Sequence, residues 1–348
     1  MFKKLLYEED LQYINECNLP WDLLKGKSIL ITGATGLIGS VLLDSLMYRN
    51  VYKKSEIMIW ALARNENIIK ERFGNYLESK CFNYIKQDVS LKINIDFKID
   101  YIIHAASKGD PYSFASDPVG VMNANYQGMY QVLELARKQN SKVIFISSGE
   151  IYGNQPTALQ KKNGFIESDY GYIDILSPRS GYASSKRAAE TLCAAYISQY
   201  NLNVNVARPC HTYGYSMLDS DSRVVGEFLR KANKRETIIM KSQGLQERSY
   251  CYVADTVTAI YTILLLGKNG QSYNIANRKS NTTIRNIAMV LAEVSGVDVV
   301  FEEANEFEKK GYSDINRAVL NPTKLELLGW NSRYGINEGM SRILAMMQ

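Results

Sequence analysis

The chain has 348 residues, of which 46% are hydrophobic and 22% charged, and its formal net charge is +5 at pH 7. With only two histidines, His104 and His211, a multi-histidine metal site is nearly excluded and a histidine-based hydrolase is disfavoured. Five scattered cysteines without a CxxC pair, an early acidic break at residues 8–10 and no apolar run of about 18 residues predict a reduced cytoplasmic protein without a signal peptide or a membrane span.

Short apolar runs alternate with amphipathic stretches along the first 208 residues. The predicted strands are Ser28–Thr32, Ile57–Ala63, Phe82–Lys86, Tyr101–Ala105, Lys142–Ser147 and Val204–Arg208. The predicted helices between them are Leu37–Tyr48, Asn67–Leu77, Pro118–Lys138 and Ser180–Tyr200. This alternation predicts an α/β fold, a Rossmann-type doubly wound parallel sheet with helices on both faces.

The turn after the first predicted strand carries three glycines at GxxGxxG spacing. Gly33 permits a tight turn, Gly36 lets the backbone approach a pyrophosphate, and Gly39 lets the helix pack closely on the strand. The helix N-terminus then offers unpaired N–H groups to phosphates. Because the turn opens a βαβ series, it predicts a dinucleotide site. The residues assigned to this site are Gly33, Thr35, Gly36, Leu37, Ile38 and Gly39.

The end of the second predicted strand is where such a fold reads the adenosine ribose. An acid there binds the 2′-hydroxyl of NAD, whereas an arginine accepts the 2′-phosphate of NADP. This chain has Arg64 followed by Glu66, so the sequence leaves NAD and NADP both open. Asp88, after the third strand, is placed to reach the adenine edge.

A Tyr-x-x-x-Lys pair, Tyr182 and Lys186, falls on a predicted helix. The i,i+4 spacing puts both side chains on one face. A phenol with an ordinary pKa near 10 needs help to act as a base, and a neighbouring ammonium favours the phenolate. We therefore assign Tyr182 as the catalytic base and Lys186 as its partner. Both residues are also assigned to the cofactor site, where Lys186 hydrogen-bonds a nicotinamide ribose.

A second polar motif follows the fifth predicted strand. Ser148 can polarise a substrate hydroxyl or carbonyl while the tyrosine moves the proton. Glu150 is either a second acid/base or a structural carboxylate that accepts backbone N–H bonds, and we include it among the catalytic candidates.

Together these motifs resemble those of the extended short-chain dehydrogenase/reductases, specifically the NAD-dependent nucleotide-sugar epimerase/dehydratase family. The resemblance covers nearly everything from about residue 27 onward. Beyond the glycine turn it rests on His104-Ala-Ala, Asn125-x-x-Gly128, Ser148-x-Glu150-Ile-Tyr-Gly, Tyr182-x-x-x-Lys186, Arg208-Pro209-x-x-Thr212-Tyr213-Gly214 and Gln246-x-Arg248. It implies an NAD(P)-binding domain over 26–208 and a smaller substrate lobe, mainly 209–348 with interleaved boundaries. Residues 1–25 are expected to form a helical extension.

The resemblance also implies a reaction through a transient 4-keto sugar on a nucleotide diphosphate. An epimerase, a decarboxylase, a dehydratase and an NADPH-dependent reductase all share that intermediate. Gly149 stands where dTDP-glucose dehydratases carry an acid, which weakens that alternative, while UDP-glucuronate decarboxylases keep a glutamate at Glu150. A non-catalytic NAD(P)-sensing module is disfavoured because Ser148, Tyr182 and Lys186 are all present. No interleaved basic and aromatic patch supports nucleic-acid binding.

Further site residues follow from the resemblance. Ala105 and Pro209 are expected beside the cofactor, and Arg223 and Arg248 on the substrate diphosphate, for which bidentate geometry is suited. His211 replaces the family's usual asparagine near the phosphates. It either donates a hydrogen bond there, gains charge next to the diphosphate, or is a packed loop histidine. The family further suggests a homodimer formed by the predicted helices Pro118–Lys138 and Ser180–Tyr200.

Overall fold

The computed structural model describes residues 2–155, 163–217, 221–305 and 315–348. Its helices are α1 (Phe2–Glu16), α2 (Leu37–Lys53), α3 (Glu66–Phe73), α4 (Pro111–Ser116), α5 (Pro118–Gln139), α6 (Gly181–Tyr200), α7 (Val224–Asn233), α8 (Val253–Leu266), α9 (Ile284–Ser295), α10 (Thr323–Glu326) and α11 (Ile336–Met347). Its strands are β1 (Ser28–Thr32), β2 (Met58–Ala63), β3 (Phe82–Lys86), β4 (Tyr101–His104), β5 (Lys142–Ile146), β6 (Val204–Pro209), β7 (His211–Tyr213), β8 (Ile238–Met240), β9 (Glu247–Tyr252), β10 (Ser272–Ile275), β11 (Asn281–Thr283), β12 (Val299–Phe301) and β13 (Arg317–Ala318).

A seven-stranded parallel sheet in the order β10-β6-β5-β4-β1-β2-β3 forms the centre of the main domain. The order reverses at β1, so the loops after β1 and β4 diverge and leave a crevice at the carboxyl edge of the sheet. The predicted doubly wound fold is confirmed. Because β10 comes from the C-terminal part of the chain, the sheet is assembled from two separate segments, and the division at residue 208 stays a prediction.

Each strand sends alternate side chains to opposite faces of this sheet. Leu30 belongs to the apolar cluster built with α5 and α6, whereas Ile31 belongs to the cluster on the other face. That second cluster continues without a break into the smaller lobe, where it includes Ile263 of α8, Leu291 of α9 and Ile343 of α11. This second cluster is therefore shared by the main domain and the smaller lobe.

In the smaller lobe, β9 lies at the centre of a small sheet. It pairs with β7 and β13 in parallel and with β11 antiparallel. The register places His211 opposite Tyr250, and Arg248 opposite both Thr282 and Ala318. The lobe thereby brings its polar side chains to the carboxyl edge of the main sheet.

Helix α1 ties this lobe to the main domain through tyrosine–carboxylate bonds. The Tyr7 hydroxyl donates to Asp44 of α2 at 2.6 Å, and Tyr252 donates to Asp10 of α1 at 2.5 Å. Arg342 of α11 also donates to Asp10, at 2.8 Å. Asp10 is buried, so the bonds that it accepts from Tyr252 and Arg342 are shielded from water.

Replacing Asp10 by Ala is expected to lower the free energy of unfolding by about 2–4 kcal/mol, because the buried Tyr252 hydroxyl loses its acceptor and Arg342 loses one of its two carboxylate partners. Thermal or urea unfolding would measure this change. The matched control is Glu9→Ala, since the Glu9 side chain is 49% exposed and its pair with Arg342 contributes little. Equal losses in the two variants would contradict the assignment of Asp10 as the buried anchor.

Candidate active site

A cleft of about 1150 Å³ lies between the carboxyl edge of the main sheet and the smaller lobe. It exceeds the roughly 300–1,000 Å³ of an ordinary small-molecule pocket, which leaves room for a dinucleotide and a second ligand. Every site residue predicted from the sequence lines it: Gly33, Thr35, Gly36, Leu37, Ile38, Gly39, Arg64, Asp88, Ala105, Ser148, Glu150, Tyr182, Lys186, Pro209, His211, Arg223 and Arg248.

The glycine turn between β1 and α2 forms the cofactor half of the cleft. Gly33 has φ +67°, and a Cβ there would lie 2.7 Å from the Ala106 backbone. A Cβ on Gly39 would lie 2.2 Å from the Gly33 carbonyl oxygen. Only glycines fit these two positions, and the first turn of α2 then presents its N–H groups to the cleft. The turn therefore fits the pyrophosphate of a dinucleotide.

The outer end of this half contains Arg64 and Asp88, whose charged groups lie 3.9 Å apart. One oxygen of Asp88 accepts the backbone N–H and the hydroxyl of Ser90. These bonds and Arg64 outweigh burial and hold the pKa of the Asp88 carboxyl below its ordinary value. The carboxylate at this position lines the cleft, and its contact with an adenine edge stays a prediction.

Tyr182 and Lys186 lie where the two halves of the cleft meet. The Tyr182 ring packs on Phe114 with 4.7 Å between ring centres, and Ser148 hydrogen-bonds its hydroxyl. The Lys186 ammonium donates to the Ile146 carbonyl at 2.8 Å and lies 5.9 Å from the centre of the Tyr182 ring. Three of the four predicted catalytic residues, Ser148, Tyr182 and Lys186, thus lie together near the carboxyl end of β5.

Burial governs the ionisation of this set in the cofactor-free protein. It raises the pKa of the Tyr182 phenol, which the Ser148 hydrogen bond and nearby arginines partly offset. It lowers the pKa of Lys186 from 10.5 to about 7, against the attraction of Glu190. The phenolate form of Tyr182 therefore depends on positive charge brought close to the ring.

The lowered Lys186 pKa predicts a pH-dependent stability. An unfolded lysine keeps its proton up to pH 10.5 whereas the buried one loses it near pH 7, so the unfolded state binds more protons between these values. The stability of the wild type relative to Lys186→Met is expected to rise with pH from 7 upward, by up to about 1.4 kcal/mol per pH unit. Urea unfolding of both cofactor-free proteins at several pH values checks this, and a flat difference between pH 7 and about 9 would overturn it.

Glu150 forms an ion pair with Arg179, at 3.0 Å between Nη2 and Oε1. Burial raises the pKa of the Glu150 carboxyl, but Arg179, His211 and Arg248 lower it more, so the pKa lies below its ordinary range. The guanidinium of Arg179 also lies 4.5 Å from the centre of the Phe114 ring. The sequence alone assigned no role to Arg179. Its position three residues before Tyr182 could have indicated that it lies close to the catalytic residues.

Three basic side chains of the smaller lobe face this carboxylate or the cleft around it. Arg248 donates to the backbone carbonyls of Glu247 and Ile315, and Arg223 pairs with the Asp221 carboxylate at 2.6 Å. Burial and Arg248 lower the pKa of His211 to about 4, so the imidazole is neutral at pH 7 in this state. Of the alternatives for His211, a neutral hydrogen-bonding group fits this geometry better than a cation.

His104 lies beneath the cofactor half of the cleft. Its Nδ1 is 2.7 Å from the Thr32 hydroxyl, and burial together with Lys186 lowers its pKa to about 3.

Among the described residues, no cluster of three or more His, Cys, Asp or Glu side chains could hold a metal ion. In the same part of the chain, no helix is both long and apolar enough to cross a membrane.

Several known proteins are similar to this chain in sequence or in fold. UDP-glucuronic acid decarboxylase 1 of Xenopus tropicalis is 29% identical over 321 residues, which cover 91% of this chain and 71% of the relative. The UDP-glucose 4-epimerase of Thermotoga maritima superposes with a TM-score of 0.76 at 22% identity, covering 91% and 97% of the two chains. The UDP-glucuronic acid 4-epimerase of Bacillus cereus, in complex with UDP-glucuronic acid and NAD, gives a TM-score of 0.75 at 20% identity over 92% and 98%.

A family model described as the NAD dependent epimerase/dehydratase family matches residues 29–276, more than two thirds of the chain. The match begins within β1 and ends just after β10, so it spans the complete seven-stranded sheet. It confirms the family predicted from the motifs, and NAD is the cofactor on which that family depends. The chain belongs to the NAD dependent epimerase/dehydratase family.

Proposed function

We propose that the protein modifies the sugar of a nucleotide diphosphate sugar through a transient 4-keto intermediate. The observation that carries this proposal is the position of Tyr182, Lys186 and Ser148 between a pyrophosphate cradle and an arginine-lined half of one cleft. A base at that junction can remove a proton from a sugar hydroxyl, and the glycine turn would hold the dinucleotide in the same cleft. The chemistry that bound NAD would supply is reversible hydride transfer at the sugar carbon.

The chain's own residues supply the proton chemistry. Tyr182 takes the proton of the sugar 4-hydroxyl, and Lys186 keeps the phenolate stable by its charge. Ser148 holds the same oxygen as it becomes a carbonyl. On the substrate side, Arg223 and Arg248 bind the diphosphate, with His211 as a neutral donor beside them.

For the substrate we propose UDP-glucuronate, which the enzyme decarboxylates. A 4-ketone makes the C6 carboxylate a β-keto acid, so the C5–C6 bond breaks, carbon dioxide leaves, and the electron pair moves to the C4 oxygen. Ser148 and Tyr182 can stabilise that enolate until a proton is added at C5. The curated relative from Xenopus tropicalis, named for this reaction, supports the proposal over 91% of the chain.

The state of Glu150 supports decarboxylation over dehydration. A dehydratase must protonate a departing hydroxyl, whereas Glu150 is held as a carboxylate by Arg179 at 3.0 Å. Loss of carbon dioxide needs no acid for a leaving group. The neighbouring Gly149 has no side chain that could replace such an acid.

Incubation with UDP-glucuronate, UDP-glucose and dTDP-glucose, followed by mass spectrometry, tests two claims. The first is that a nucleotide sugar reacts through a 4-keto intermediate, and the second is that UDP-glucuronate is decarboxylated. A product lighter by carbon dioxide from UDP-glucuronate alone is expected. Unchanged mass with inverted stereochemistry would replace decarboxylation by epimerisation, and loss of water would replace it by dehydration. No product from any nucleotide sugar, with NAD bound, would overturn the 4-keto proposal itself.

A homodimer is proposed on the exposed face of α5. Val119, Met122, Tyr126 and Tyr130 recur there at helical spacing with 39–69% of each side chain exposed. Such a stripe is complementary to itself about a two-fold axis.

Replacing Tyr126 and Tyr130 together by Glu is therefore expected to convert a dimer into a monomer, measured by light scattering after size-exclusion chromatography. Leu327→Glu is the control, since Leu327 is 81% exposed on the other lobe. A wild type that is monomeric, or a double variant that stays dimeric, would contradict the interface.

A further inference from the structure

Helix α6 carries a carboxylate, Glu190, that takes no part in the chemistry described above. Glu190 follows Lys186 by four residues, so the two side chains lie on the same face of the helix. Glu190 does not line the cleft, and only 13% of its side chain is exposed. It therefore lies behind the active site, beside Lys186 and away from a bound sugar.

The Glu190 carboxylate is held on two sides. Arg208 of β6 donates to both of its oxygens, with a shortest distance of 2.6 Å between Nη2 and Oε2. The hydroxyl of Ser147, just after β5, donates to Oε1 at 2.5 Å. Only 3% of the Arg208 side chain is exposed, so the ion pair is shielded from water. These charge-assisted bonds fix the carboxylate in one orientation.

The same end of β5 also holds Lys186. The Ile146 carbonyl accepts the Lys186 ammonium at 2.8 Å, and the next residue, Ser147, binds Glu190. The Phe145 ring lies 4.8 Å from the ammonium. Because Lys186 is only 1% exposed, water does not stabilise its charge, and the protein must supply a compensating group.

The other titratable groups that face Lys186 are uncharged at neutral pH. On α6, burial raises the pKa of the Cys193 thiol and that of the Tyr182 phenol, so both keep their protons. On β4, His104 has a pKa of about 3 and is a neutral imidazole. Of the described titratable groups that act on Lys186, Glu190 is therefore the one that supplies negative charge.

We propose that Glu190 is a positioning residue of the active site, whose carboxylate keeps Lys186 in its ammonium form. Lys186 acts on Tyr182, and Glu190 acts through Lys186 without touching the sugar. The effect on Lys186 is a property of the cofactor-free chain. The effect on turnover rests on the proposed function, in which the ammonium stabilises the Tyr182 phenolate.

Glu190→Gln removes the charge and keeps the size of the side chain. The titration of Lys186 is followed by urea unfolding, as the stability difference between each chain and the same chain carrying Lys186→Met. In the wild type this difference is expected to start rising near pH 7, where buried Lys186 loses its proton. In Glu190→Gln the rise should start about one pH unit lower, because an opposite charge near the ammonium is lost. The same onset in both chains would overturn the proposal.

Ser147→Ala is the matched control, because it removes a hydrogen bond to Glu190 but no charge. Its onset should stay close to that of the wild type, and a shift as large as that of Glu190→Gln would assign the effect to the strand end instead. Glu190→Gln also leaves buried Arg208 without its carboxylate, which can prevent folding. A second variant therefore replaces both Glu190 and Arg208 by Gln, and the same downward shift is expected there.

The second readout is the rate of nicotinamide reduction with the proposed sugar substrate. If Lys186 loses its proton one pH unit earlier, the rate of Glu190→Gln relative to the wild type should fall with rising pH, by up to about tenfold. A merely structural role would lower the rate by the same factor at every pH, and this result would contradict the proposal. A wild type that reduces no nicotinamide would count against the proposed function alone, since the urea titration of Lys186 needs no sugar.

Discussion

Replacing Tyr182 by Phe is expected to lower kcat by about 10²–10⁴-fold while leaving the affinity for the dinucleotide unchanged. The substitution removes only the hydroxyl, and the ring keeps its contact with Phe114, at 4.7 Å between ring centres. Because the hydroxyl is the proposed proton acceptor, the sugar should bind without being oxidised. The absorbance of reduced nicotinamide in a single turnover measures this step directly.

Tyr52→Phe is a suitable control, since Tyr52 lies outside the cleft lining and is 62% exposed. It should leave the rate of nicotinamide reduction as in the wild type. If Tyr182→Phe reduces the bound cofactor at the wild-type rate, Tyr182 is not the base. If it instead loses dinucleotide binding, the hydroxyl serves the cofactor site, to which Tyr182 is also assigned, and its role as the base is not supported.

Gly39→Ala is expected to weaken dinucleotide binding by at least about tenfold and to destabilise the fold by about 1–3 kcal/mol. The added Cβ would lie 2.2 Å from the Gly33 carbonyl oxygen, which belongs to the backbone and cannot rotate away. Either the turn or the first turn of α2 must move, and both form the pyrophosphate cradle. Calorimetric titration with NAD⁺ and urea unfolding measure the two effects.

The same change at Gly74 provides the control. That residue has φ −51°, and a Cβ there meets no atom within 4 Å. Gly74→Ala should therefore be neutral or slightly stabilising, as a glycine replacement in right-handed helical backbone usually is. Normal NAD⁺ affinity in Gly39→Ala would contradict the close approach of helix and turn on which the cofactor assignment depends.

Much of the fold and part of the site could be predicted because their signals are local in sequence. The glycine turn and the Tyr182–Lys186 pair are defined by spacings of three or four residues, and apolar runs mark the strands. Partnerships across the fold had no such signal. Arg179 and Glu150 are 29 residues apart, and their ion pair depends on how β5 and α6 pack.

Two other features also required the folded chain. Glu66 stands close to Arg64 in sequence, yet Tyr84 of β3 holds its carboxylate outside the cleft. Strand β10 pairs with β6 although more than sixty residues separate the two. In both cases the deciding contact comes from a neighbouring strand, whose position follows from the sheet order and not from the local pattern.

The continuous core described above restricts how the cleft can open. Many two-lobed enzymes close on their ligands by rotating whole domains about a hinge. Here Ile31 of the main sheet and Leu291 and Ile343 of the smaller lobe belong to one buried cluster. Rotating one lobe away would expose that cluster and break the tyrosine–carboxylate bonds of α1. We therefore expect ligands to enter and leave by movement of the loops at the cleft mouth, which leaves this shared cluster buried.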